Sequence, residues 1–267
     1  MAYWFNGQLC QDSEIALTVN DPALLYGATV FTTLRIYGQS LDHPLTQWQA
    51  HQQRLAQALE VFGWPCLDWN GLRQGAEALL QTYPVLRLTC LPDGRALVTG
   101  RDLPADLATM QSQGIVAWVA RGDRYQRPLP AYKTGNYLGA WLALQAAAQH
   151  GAREAILVDA QGQWLETSTG NLWGWANGHW HTPGGTSLLA GIGRQLLLEH
   201  LEHQGDRVNR APWPPGIIRR FEALAYSNSA VQVVPIHTVL GDRSRLELNP
   251  QHPALEALRA AFEPNST

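Results

Sequence analysis

Apolar positions along the chain change period several times. From Leu45 to Phe62 they return at Trp48, Leu55, Leu59 and Phe62, the spacing of an amphipathic helix, which Gly63 and Pro65 end. Ahead of it, "YWFNGQLC" is an Asn-Gly turn between short apolar runs, and "TVFTTLRIYGQSL" alternates as a strand before a Gly-Gln turn, so the chain opens with antiparallel β-structure. Behind it, "NGLRQGAEALLQTYP" reads as a second helix, and "VLRLTCL", "RALVTG" and "GIVAWVA" as strands separated by Pro, Asp and Gly. The period then disappears in "ARGDRYQRPLPA", which is charged and bears prolines. Residues 121–131 are therefore expected to connect a small N-terminal α+β domain, 1–120, to a larger C-terminal domain, 132–267.

A lysine stands before the next periodic stretch, "AYKTGNYLGAWLALQAAAQHG". Between Tyr137 and Ala148 only Tyr137, Trp141 and Gln145 carry hydrogen-bonding side chains, and Gly151 terminates well, which predicts a largely buried helix with Lys133 at its mouth. Two accounts of Lys133 compete. Its stem lies on apolar surface while the ammonium reaches water, or burial favours a neutral amine able to react with a carbonyl. The chain continues with short strands in "EAILVDAQGQWLETSTGNLWGWANGHWHTP", a helix in "LLAGIGRQLLLEHLEHQG" and two further strands in "FEALAYSNSAVQVVPIHTV".

Composition narrows the partners. With 45% hydrophobic and 15% charged residues among 267, a soluble globular protein with a sizeable core is expected. A net charge of −3 and the lack of any Lys/Arg run argue against nucleic acid or an anionic membrane and for a small-molecule partner. Cys10, Cys66 and Cys90 have no metal-ligand or disulfide spacing. The first residues show no basic leader before an apolar core, and no run reaches the roughly 18 apolar residues of a membrane span, so a cytoplasmic location is expected. "HWH" at 179–181 and "HLEH" at 200–203 lack the further ligands a metal site needs, and no GxSxG elbow occurs.

Four separate features suit one cofactor. Lys133 offers an amine. Gly191-Ile192-Gly193 opens a helix whose amides suit a phosphate, although a plain glycine turn reads equally from the residues. Arg54, three residues after His51 on one helix face, offers a fork of donors, or an ordinary surface arginine. Glu166, between tryptophans, is a partly buried carboxylate that needs a partner, either a structural arginine or a protonated ring nitrogen. Pyridoxal phosphate uses an aldehyde-binding amine, an acid on its ring nitrogen, and cations with amides for its phosphate.

In "FNGQL", "DPALLYGATVFTTLRIYG", "HQQRL", "YKTGNYL", "ETSTGNLW", "LLAGIGR" and "SNSAVQVVPI" the chain resembles the class IV pyridoxal-phosphate enzymes: branched-chain and D-amino-acid aminotransferases and 4-amino-4-deoxychorismate lyases. The resemblance implies the two-domain fold type IV, D-amino-acid aminotransferase-like and mixed α+β and α/β, and a homodimer. It implies Lys133 as the Schiff-base lysine, Tyr137 near the ring oxygen and Glu166 on the pyridine nitrogen. It places the phosphate on Arg54, the amides of Ile192 and Gly193, and Ser229 with Asn228 beside it. Transaminase members commonly carry Phe-Glu-Thr where this chain has Phe31-Thr32-Thr33, and Gly-Thr or Ser-Thr where it has Asn228-Ser229. Both departures are similar to the lyase branch, which releases 4-aminobenzoate and pyruvate for folate synthesis. That branch implies Lys133 as base and Thr32 or Thr33 as acid. Arg35 is a candidate for a substrate carboxylate, with a structural ion pair as its alternative.

Overall fold

The computed structural model describes residues 2–242 and 244–263. They form two compact units: one runs through Ala105 and includes Tyr132–Asn136, and the other holds Asp106–Ala131 and the chain from Tyr137.

In the first unit, the Asn6-Gly7 turn joins β1 (Tyr3–Phe5) to β2 (Gln8–Cys10), a short helix α1 (Pro22–Tyr26) follows, and then β3 (Val30–Arg35). Helices α2 (Trp48–Val61) and α3 (Trp69–Leu79) precede the hairpin β4 (Val85–Cys90) and β5 (Ala96–Arg101). The five strands make an antiparallel sheet in the order β2-β1-β5-β4-β3. The helical spacing is realised as one buried face on each helix: Leu55, Ala58 and Leu59 of α2, and Leu72, Ala76 and Leu79 of α3, join Leu34, Leu86, Leu88 and Val98 of the sheet in one core. Asp68 caps α3 by accepting from the Gly71 amide at 3.0 Å, a contact of about 1 kcal/mol. Truncating one of the fully buried leucines costs about 2–5 kcal/mol.

The second unit opens with α4 (Leu107–Gln113), which the sequence pattern does not announce, and β6 (Ile115–Ala120). It continues through α5 (Leu138–Gln149), β7 (Glu154–Val158), β8 (Trp164–Thr167), β9 (Asn171–Ala176), β10 (His179–His181), α6 (Ile192–His203), β11 (Val208–Asn209), α7 (Pro215–Ile218), β12 (Ala223–Asn228), β13 (Gln232–Leu240), β14 (Arg245–Glu247) and α8 (Ala254–Ala260). The mixed sheet runs β11-β10-β9-β12-β13-β6-β7-β8, with β14 on β13. Strand β6 lies parallel to both β13 and β7, which assigns it to this sheet and to this unit. The expected connector, residues 121–131, also belongs here; it contains a 3-10 turn at Asp123–Tyr125, whose Tyr125 ring is buried edge-on to Trp118. No helix among the described residues is long and apolar enough to cross a membrane.

The helix after Lys133 differs from expectation. Only Ala140, Ala143 and Ala147 of α5 are buried, a narrow stripe of small side chains, while Leu138 and Trp141 are exposed. Alanine supplies helix propensity without bulk, so a run that reads as core is one-sided here. Lys133 precedes α5 in an extended stretch fixed by a strand. The Phe31 amide donates to the Lys133 carbonyl at 2.9 Å, Val30 bridges Thr134, and the Gly135 amide donates to the Thr29 carbonyl at 2.6 Å.

Candidate active site

In the first unit, Lys133 is half-buried, with Nζ 4.8 Å from the centroid of the Phe31 ring. The Arg87 guanidinium lies 3.5 Å from the same centroid, so two cations meet one aromatic ring, a favourable quadrupole contact. Alternation along β3 puts Phe31, Thr33 and Arg35 on one side and Val30, Thr32 and Leu34 on the other. The two threonines expected as acids are thereby separated. Thr33, half-buried, shares the side of Phe31 and pairs with Arg87 in register. Thr32 is fully buried, with Oγ1 2.6 Å from His51 Nδ1 and accepting a bond from Arg54 Nη2. Arg35 stands four residues from Phe31, about 13 Å along a strand, and stacks on Tyr37 at 5.1 Å. His51 and Arg54 project from one face of α2, and burial, then the charges of Arg54 and Lys133, push the His51 imidazole well below its ordinary value.

The second unit gathers its polar groups where β8 ends and the β12–β13 hairpin turns. Glu166 is buried; Oε1 accepts from Arg127 Nη1 and Oε2 from the Leu189 amide at 3.1 Å. The carboxylate thus has the structural arginine that was one of its two expected partners. Arg127 also faces the Tyr137 ring at 5.3 Å, and the Tyr137 hydroxyl donates to the Ser168 carbonyl at 3.2 Å. Removing Arg127 alone would leave a buried charge and cost about 3–5 kcal/mol. Beneath this cluster a second buried carboxyl, Glu154, accepts from the Ser168 and Thr169 hydroxyls and from the Ala155 amide at 2.9 Å. Burial pushes its pKa up despite those bonds.

Ile192 and Gly193 open α6 with amides that no helical carbonyl can satisfy. A Cβ on Gly193 would sit 3.1 Å from the Asn228 carbonyl carbon and 3.3 Å from the Ser229 amide, so glycine is what lets this helix start approach the β12–β13 turn. Asn228 builds that turn: Oδ1 accepts from the Ala230 and Val231 amides, each at 2.9 Å, and Nδ2 donates to the Thr169 carbonyl at 3.2 Å. Its side chain is occupied in shaping the turn, and the half-buried Ser229 follows, its backbone amide close to Gly193 at the start of α6.

The family description amino-transferase class IV matches residues 29–239. The chain belongs to the class IV amino-transferases.

Among curated relatives, this chain is 26% identical to the branched-chain-amino-acid aminotransferase of Escherichia coli K12, the match covering 89% of this chain and 84% of that protein. It is 22% identical to the aminodeoxychorismate lyase of Vibrio harveyi, over 92% and 94%. Branched-chain aminotransferases predominate among these relatives. A hypothetical aminotransferase from Mycobacterium tuberculosis, solved in its PLP-bound form, shares the fold with a TM-score of 0.82 at 22% identity, covering 98% of each chain. The two-domain fold type IV expectation holds.

Three residues of the clusters escape a reading of the sequence alone. Arg127 lies in the aperiodic connector, although the demand of buried Glu166 for a cation was the signal that could have found it. Arg87 occurs in a strand as its single charged residue, at an alternating position. Glu154 starts an apolar run and gives no signal.

Proposed function

We propose that this class IV amino-transferase family member is a 4-amino-4-deoxychorismate lyase that releases 4-aminobenzoate and pyruvate. Family membership and the PLP-bound relative support pyridoxal 5'-phosphate as its cofactor, and the residues present fit that group: a half-buried lysine, a buried carboxylate, and a glycine-bearing helix start close to the β12–β13 turn. Glu166 would hold the pyridine nitrogen, Tyr137 the ring oxygen, and Arg54, the Ile192 and Gly193 amides and Ser229 the phosphate, in a turn shaped by Asn228. When bound, the cofactor supplies an aldehyde for the substrate amine and a ring that accepts electrons.

The observation that carries the lyase reading is the side of β3 shared by Phe31 and Thr33, with Lys133 and Arg87 on the Phe31 ring. Lys133 Nζ takes the proton from C4 of the substrate ring, and the Thr33 hydroxyl gives one to the enolpyruvyl methylene as the C–O bond breaks. Arg87, rather than the more distant Arg35, holds a substrate carboxylate. Thr32 is engaged with His51 and Arg54 and is not needed as the acid.

Purified protein given aminodeoxychorismate and no amino acceptor is expected to form 4-aminobenzoate and pyruvate in equal amounts. Lys133→Ala abolishes both, and Thr33→Val lowers turnover about a hundredfold or more. The predominance of branched-chain aminotransferases among the relatives favours a second reading, amino-group transfer to a 2-oxo acid. Absence of product until a 2-oxo acid is added, with glutamate or a branched-chain amino acid as donor, would establish that reading instead. A cytoplasmic homodimer is part of the same proposal.

A further inference from the structure

Thr32 lies on the side of β3 away from Phe31, yet it is a polar residue with no exposure. Its hydroxyl has one hydrogen to give and two lone pairs to accept with. Arg54 can only donate, so that contact runs from the guanidinium to Thr32 Oγ1. The Thr32 hydrogen is then left for His51 Nδ1 at 2.6 Å, which must itself carry no proton. The reverse polarity, Nδ1–H into Thr32, would leave a buried hydroxyl hydrogen with no other acceptor contact among the described residues and would set an imidazolium beside Arg54 and Lys133 if Nε2 were also protonated. Burial and those same two cations push the His51 pKa down, in agreement with a neutral ring.

We propose that Thr32 and His51 are a positioning pair for Arg54, a one-way relay from guanidinium to hydroxyl to imidazole that orients the arginine toward the cofactor's phosphate without placing a negative charge beside it. The inference rests on Arg54 being a phosphate ligand. A carboxylate at position 32 would also hold the arginine, but it would neutralise the charge that a phosphate dianion seeks. A hydroxyl orients and leaves that charge to the ligand.

The test is titration of the apoenzyme with pyridoxal 5'-phosphate and with pyridoxal, which lacks the phosphate. Thr32→Val, of similar shape, is expected to weaken the phosphate form by about tenfold to a hundredfold and to leave pyridoxal unchanged. Thr32→Ser restores affinity, and His51→Asn, whose Oδ1 stands near the position of Nδ1, retains most of it. Ring-nitrogen NMR of the parent, assigned against His51→Asn, is expected to show the neutral Nε2–H form at neutral pH. Unchanged affinity in Thr32→Val, equal weakening of both ligands, or a doubly protonated His51 overturns the positioning pair. Arg54→Ala separates the underlying reading: if this variant still prefers the phosphate form as strongly as the parent, Arg54 is not a phosphate ligand; if it loses the preference while Thr32→Val keeps it, the positioning pair alone is wrong.

Discussion

At the scale of single residues, His51 ties stability to pH. Its native pKa is held below the ordinary value of about 6.5, to which it returns on unfolding. Between those values the unfolded chain binds more protons, so stability rises with pH there; the full contribution is present above about pH 6.5 and is lost as pH falls toward the native value. Glu154 works in the opposite sense, because its native pKa is raised above the ordinary 4.5: its contribution is complete below that value and is lost as pH rises through the native one. Comparing parent with His51→Asn isolates the first effect. The variant is expected to show a shallower fall in Tm on acidification below about pH 6.5, and parallel curves would count against a neutral native His51. Lys133 and Glu166 were legible as candidates in the sequence because one stands at the mouth of an apolar helix and the other between tryptophans. Arg127 and Arg87 were not, since an arginine in an aperiodic stretch or on a strand has many uses that composition does not separate.

Elements were more legible than the faces they present. The Asn-Gly hairpin, the alternating β3 and the two helices of the first unit follow from turn chemistry and period, and they form where those signals place them. The alanine-rich α5 did not reveal its burial, because alanine is equally at home on a buried stripe and an exposed flank. What fixes Lys133 is likewise an element-level fact hidden from local sequence: its stretch is pinned to β3. Gly135 permits this, since a Cβ there would lie 2.1 Å from Thr29 Oγ1 and 2.8 Å from the Gly27 carbonyl oxygen. Gly135→Ala is expected to displace the lysine stretch, lowering turnover by tenfold or more, as misplacement of reacting groups by about 1 Å can cost about a hundredfold, while the far-UV circular dichroism stays that of the parent. Full activity in this variant would show that the pairing does not set the lysine's position.

For the whole molecule, the exposed apolar residues Ile15, Val19, Leu24, Leu25 and Tyr26 of the first unit are unusual for a monomer's surface. Self-association would cover them, and sedimentation is expected to give a dimer that Leu24→Glu with Leu25→Glu shifts toward monomer; a parent that sediments as a monomer at micromolar concentration refutes the homodimer. The sequence placed its domain connector by loss of period, but the units are sorted by strand pairing, which assigns β6 to the second sheet and returns Tyr132–Asn136 to the first unit. The pinning of Lys133 also orders events in time. Thr134 meets Val30 only after a loop of about a hundred residues has closed, a step whose entropic cost must be met before any local contact repays it. A chain still emerging during synthesis therefore carries Lys133 on an unpaired stretch, and the lysine takes its place beside the Phe31 ring only once β3 and residues 133–135 have paired.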